Sequence, residues 1–142
     1  MEILPLFDFI VIDDDNINNI ICQKLIQEEV SDADIQTFLY PEDGLEYLNS
    51  KYSQTNSNKV VLLLDINMPS MNGWEVLDAI NGFNKKVKEK LVIYMLTSSL
   101  DPNDKKKAAK MVQVSGYFEK PLSTEKIEFI MEQHQDMVNS IK

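Results

Sequence analysis

Val60–Leu64 (VVLLL) constrains the fold more than any other stretch of this chain. It is the most apolar run, and it does not alternate with polar residues. A strand of that kind is buried on both faces, as in the centre of a parallel sheet. Leu91–Leu96 (LVIYML) is a second strand of the buried type, and Phe7–Ile12 (FDFIVI) is a third short apolar run. Weaker strands read at Ala33–Phe38 and at Tyr117–Phe118.

Helical patterns fill the gaps. Ile17, Ile20, Ile21 and Leu25 follow the first strand at helical spacing. Pro41 opens a helix with Leu45, Leu48 and Tyr52, and Ser50–Lys59 (SKYSQTNSNK) is a polar loop. A Pro/Gly loop, Asn67–Gly73, leads into a helix with Val76, Leu77 and Ile80. Lys85–Lys90 reads as a lysine-rich connection. Pro102 suits the first turn of a helix carrying Ala108, Met111 and Val112. The last helix, from about Ser123, carries Ile127, Ile130, Met131, Val138 and Ile141. Five strands thus alternate with five helices, which predicts an α/β fold with right-handed crossovers and a doubly wound parallel sheet.

Size and charge narrow the function. A chain of 142 residues and 16.4 kDa fits one domain. The last helix runs nearly to Lys142, so the expectation is a single domain over 1–142, core about 7–140, with no output domain after it. No apolar run reaches the ~20 residues of a membrane span, and no signal peptide is apparent. A single cysteine and a single histidine exclude an internal disulfide or a Cys/His zinc site. The expected setting is the cytoplasm. Net charge is 14 − 23 = −9, and every basic residue is lysine, which argues against a nucleic-acid partner.

In sheets of this type ligands bind beyond the carboxyl ends of the strands. Asp13, Asp14 and Asp15 follow the first strand, and Asp65 follows the third. Thr97, Ser98 and Ser99 follow the fourth, and Lys120 follows the fifth. If the first and third strands are neighbours, their carboxylates converge and repel unless a cation neutralises them. Mg²⁺, a hard ion that prefers oxygen and keeps several waters, is the economical occupant.

At these residues the sequence resembles the receiver domain of two-component response regulators. The features that carry the resemblance are IDDD, LLLDINMPSMNGWEVL, LTSS and GYFEKPL, in order at the strand ends, and it extends from about Phe7 to Ser140. It implies a flavodoxin-like (βα)5 fold with strand order 2-1-3-4-5. It implies Asp65 as phosphoacceptor and Asp13, Asp14, Asp65 and the Asn67 carbonyl as the Mg²⁺ site, with Asp13 acting through water. Thr97 matches the switch hydroxyl, Lys120 the phosphate-contacting lysine and Tyr117 the rotating aromatic. A cis Lys120–Pro121 bond is also implied. The function so implied is a phosphoacceptor switch rather than an enzyme, with intrinsic Mg²⁺-dependent phosphorylation from small donors and autodephosphorylation. Its donor would be a histidine kinase or phosphotransfer protein. Its output would be a shift of the face made by the Pro102 helix, the fifth strand and the last helix, binding a downstream protein or a second copy. On that face Lys105–Lys107 and Lys110 stand against Glu125, Glu128 and Glu132.

Other readings compete. Asp13-Asp14-Asp15 also fits the D-x-D of haloacid-dehalogenase-type phosphatases, with Asp13 as nucleophile and Asp15 as acid/base. Against it, Ile17 stands where that pattern has Thr or Val, no acidic pair follows Lys120, and Asp65 is left without a role. A degenerate receiver would lack some of the key residues, and all are present. A flavodoxin-type cofactor domain would need a phosphate loop after the first strand, and there is none. Asp15 or Asn16 is expected to cap the first helix. Cys22 reads as a core thiol, His134 as a structural histidine on the last helix's apolar stripe, and Lys105–Lys107 as a solvated face. Trp74 fits either the site's edge or the core.

Overall fold

The computed structural model describes residues 7–54, 57–98 and 100–134. In chain order the elements are β1 (Phe7–Ile12), α1 (Asn16–Glu29), β2 (Ile35–Phe38), α2 (Pro41–Lys51), β3 (Lys59–Leu64), α3 (Gly73–Asn81), α4 (Lys85–Lys90), β4 (Leu91–Thr97), α5 (Pro102–Lys110), β5 (Val114–Glu119) and α6 (Thr124–Gln133). The five strands are parallel in the order β2-β1-β3-β4-β5. The central place of β3 explains its unbroken apolar run. Val60, Leu62 and Leu64 pack with α2, α3, α4 and α5, while Val61 and Leu63 pack with α1 and α6. Burying each such side chain stabilises by ~1.5–3 kcal/mol before chain entropy is counted.

Side-chain caps start every described helix but α2, which opens on Pro41 with no side-chain cap. Asp15 accepts from Ile17 N at 3.0 Å and Asn18 N at 3.3 Å, so it is the cap of α1. Asn72 and Glu75 form a reciprocal capping box on α3. Asn84, Asp101 and Ser123 cap α4, α5 and α6.

Three sequence expectations change. Lys85–Lys90 is a helix rather than a connection, so six helices are present among the described residues instead of five. Its anchor is the single buried Val87, with Asn84 accepting from the Val87 amide at 3.1 Å; one apolar residue makes no periodic stripe. Val112 is fully exposed, because α5 ends at Lys110 and the chain turns through Met111. On α1 the phase is shifted: Ile17, Ile20 and Ile21 are exposed at 69%, 58% and 41%, and the buried residues are Asn18, Asn19, Cys22 and Ile26. Of the expected stripe only Leu25 packs against the core. Val138 and Ile141 of the expected last helix lie outside the described residues.

Candidate functional site

β1 and β3 pair with Ile12 opposite Leu64, so the residues that follow them emerge side by side. The Asp65 amide donates to Ile12 O at 3.0 Å, and the Asp13 amide donates to Phe38 O at 3.1 Å. One carboxylate oxygen from each of Asp13, Asp14 and Asp65 lies within 4.8 Å of the others. Asp13 and Asp65 are buried, and Asp14 is exposed.

Lys120 is the cation facing this cluster. Its backbone amide donates to Thr97 O at 2.9 Å, tying the ends of β4 and β5 together. The following Lys120–Pro121 bond is cis, as the resemblance implied. Its Nζ lies 2.6 Å from Asp13 Oδ2 and 3.5 Å from Asp65 Oδ2. Burial lowers the lysine's pKa, but the hydrogen bond and charge of Asp13, with Asp65 behind it, outweigh that and leave it raised. Burial also dominates at Asp13 and drives its carboxyl well above the usual range, reinforced by the charge of Asp65 and opposed by Lys120 and the Asp15 amide.

Asp13 is held from α1. Its Oδ1 accepts from Asp15 N at 2.9 Å, its Oδ2 from Asn18 Nδ2 at 2.8 Å, and its carbonyl from Asn19 Nδ2 at 3.0 Å. The sequence reading missed Asn18 and Asn19. The signal was their spacing to Cys22 and Ile26, which marks the inward stripe of α1.

Asp65 is less engaged. Its Oδ1 is buried and has no hydrogen-bond partner. The loop beyond it closes tightly: Gly73 N donates to Ile66 O at 2.8 Å, and a Cβ on Gly73 would stand 2.6 Å from Asp65 O. Met68 is buried under this loop and Met71 packs partly against the core, while Asn67 is exposed. Thr97 is fully buried at the end of β4. Tyr117 is half-buried and lines a groove of about 330 Å³ between α5 and β5, with Lys105, Ala108 and Gly116. Ser98 is exposed, and Ser99 lies outside the described residues.

The other singled-out residues fall elsewhere. His134 bonds Tyr94 OH at 2.9 Å and meets the Phe7 ring edge-on, a structural role. Cys22 is buried behind the site, where burial and the charge of Asp13 push its thiol up to about 12. Trp74 packs partly against the core and carries the Lys107 ammonium 4.7 Å above its ring. Lys105–Lys107 are exposed, as expected. Asp15 caps α1 through its Oδ1.

The donor set fits a hard divalent cation: three carboxylates converge, and one contributes a buried oxygen that has no partner. No helix among the described residues is long and apolar enough to cross a membrane.

No curated protein matches the chain by sequence. Among solved structures, a two-component response regulator from Cytophaga hutchinsonii is similar at 28% identity and TM-score 0.83, over 94% of this chain and 99% of that one. A receiver protein from Dyadobacter fermentans shares the fold at 22% identity and TM-score 0.81, over 89% and 96%. A chemotaxis protein of Vibrio cholerae does so at 21% and 0.70, over 90% and 98%. The family profile of the response regulator receiver domain matches residues 9–132, and with the strand order and the acidic strand ends described above, the chain belongs to that family.

Proposed function

We propose that this chain is a phosphoacceptor switch in a two-component relay, with Asp65 as the residue modified. The observation that carries the reading is the Asp65 carboxylate, with one buried oxygen unpartnered and the other 3.5 Å from the Lys120 ammonium. An oxygen of Asp65 attacks phosphorus in line with the leaving group. With a phosphohistidine donor the P–N bond breaks, an acyl phosphate forms, and the freed imidazole nitrogen takes a proton. Lys120 and Thr97 stand at neighbouring strand ends, and in this reading each meets a phosphoryl oxygen. Asp14, Asp65 and the Asn67 carbonyl, assisted by Asp13, would hold Mg²⁺, which would supply positive charge toward the phosphoryl oxygens. Hydrolysis of the acyl phosphate resets the switch.

The donor is a histidine kinase or phosphotransfer protein. The exposed Ile17, Ile20 and Ile21 on α1, beside the acidic cluster, suit contact with its apolar helical surface. Output passes through α5, β5 and α6: Thr97 turns toward the phosphoryl group and Tyr117 moves into the space behind β4. A downstream protein or a second copy then reads that face. The setting of such a relay is the cytoplasm.

The test is incubation with acetyl phosphate and Mg²⁺, followed by mapping of the modified residue. Label on Asp65, abolished by Asp65→Asn and by chelation of Mg²⁺, is the expected result. Label on Asp13 with rapid turnover would restore the phosphatase reading.

A further inference from the structure

Asp13 Oδ2 is shared: Asn18 Nδ2 donates to it at 2.8 Å, and Lys120 Nζ lies 2.6 Å away. Asn18 is only 6% exposed, and Asp13 is buried beside it. A buried carboxylate stripped of its charge partner is costly unless other donors hold it. Lys120 must turn from this oxygen to serve a phosphoryl group on Asp65, whose Oδ2 is already within 3.5 Å. When it turns, the protein donors that stay on Asp13 among the described residues, beside any metal-bound water, are the Asp15 amide on Oδ1 and Asn18 on Oδ2. We propose that Asn18 is a positioning residue for phosphoryl transfer: by holding Asp13 Oδ2 it releases Lys120 to the phosphoryl group.

Asn18 touches neither the phosphoryl group nor Asp65 in this account; it acts through Asp13 and Lys120. Its side chain is well placed to be fixed. It lies in the inward stripe of α1, and the Cys22 thiol beside it remains protonated at neutral pH. Removing the amide leaves Lys120 as the one side-chain donor on that oxygen among the described residues, so the ammonium stays there. The phosphoryl group then forms with less charge compensation. The inference rests on Asp65 being the phosphoacceptor.

The experiment is a double-mutant cycle with Asn18→Leu, which keeps the shape and removes the donor, and Lys120→Met. Labelling rate with acetyl phosphate at saturating Mg²⁺, and beryllofluoride affinity read by Trp74 fluorescence, are measured in all four proteins. Asn18→Leu alone is expected to slow labelling and weaken beryllofluoride about tenfold, the scale of one charge-assisted hydrogen bond. In the Lys120→Met background the same change is expected to alter neither by more than about twofold. Asn18→Ala carries the same expectation should the leucine variant not fold. An equal loss in both backgrounds overturns the proposal, because it would mark Asn18 as merely structural. No loss, or a loss seen only below Mg²⁺ saturation, overturns it as well. If wild-type protein takes no label, the switch reading falls with it; if wild type is labelled and Asn18→Leu is unaffected, this inference alone falls.

Discussion

At the residue scale the site divides its carboxylates by engagement. Asp13 is saturated by donors from α1 and by Lys120, whereas Asp14 is exposed at the mouth and Asp65 keeps one oxygen without a partner. Asp14 is therefore the carboxylate whose loss should act on the metal with least effect on the fold. Asp14→Ala is expected to weaken Mg²⁺ at least about tenfold in a Trp74 fluorescence titration, with the unfolding midpoint little changed. Gly73 gives the opposite split. A Cβ there would meet the backbone oxygen of Asp65 at 2.6 Å and Ile66 Cα at 3.0 Å, neither of which can swing away. Gly73→Ala is expected to cost about 1–3 kcal/mol in urea denaturation and to slow labelling of Asp65 by displacing the loop. Asp13, Asp14, Asp65, Thr97 and Lys120 were legible as candidates because each lies at or just beyond the carboxyl end of a strand. Asn18 and Asn19 were not, since a polar residue in a helix is ordinarily solvent-facing and nothing in its identity announces a buried carboxylate as its partner.

At the scale of elements, the strands could be read because an apolar run buried on both faces is an unambiguous pattern. The helices were harder. The α1 phase follows from what its inner face has to satisfy, namely Asp13, and not from where its isoleucines lie. The α4 helix hangs on one valine and a cap, below the threshold at which periodicity is visible. α6 starts where it was read, and Ile127, Ile130 and Met131 of its expected stripe pack inward; its docking makes a pH prediction. His134 closes α6 by bonding Tyr94 OH, within an aromatic group that includes Phe7, Phe118 and Phe129. Burial, then the charge of Lys59, lower its pKa below the value of 6.5. The folded protein thus binds fewer protons than the unfolded chain in mild acid. Its contribution is intact above about pH 6.5 and is lost progressively as pH falls below that value. His134→Gln should flatten that part of the stability–pH curve, as measured by urea midpoints; an unchanged slope would mean that His134 is not the group titrating.

At the scale of the molecule, the sheet order was legible only through the resemblance. Local patterns show that strands and helices alternate, but not which strands become neighbours. The order β2-β1-β3-β4-β5 places Asp13 beside Asp65 and sets β5 at an edge, joined to the site by the Lys120 amide on Thr97 O. Charge is distributed unevenly: eight of the fourteen lysines fall between Lys85 and Lys110, against three acids there, in a chain of net −9. Exposed Lys105–Lys107 and Lys110 on α5 face a molecule whose α6 exposes Glu125, Glu128 and Glu132. Beryllofluoride with Mg²⁺ is expected to change amide exchange in α5 and β5, and any association it induces should weaken with salt. Unchanged exchange there with Asp65 occupied would sink the proposed output route. The two sides of α1 also carry a consequence for how such a protein can diverge. Its inward asparagines answer to the chemistry of Asp13, while Ile17, Ile20 and Ile21 stand outside the core among the described residues. If the proposed donor docks on them, a duplicated copy that exchanges those three residues would change its donor at almost no loss of stability and with the chemistry untouched, so insulation between parallel relays would be gained one surface residue at a time.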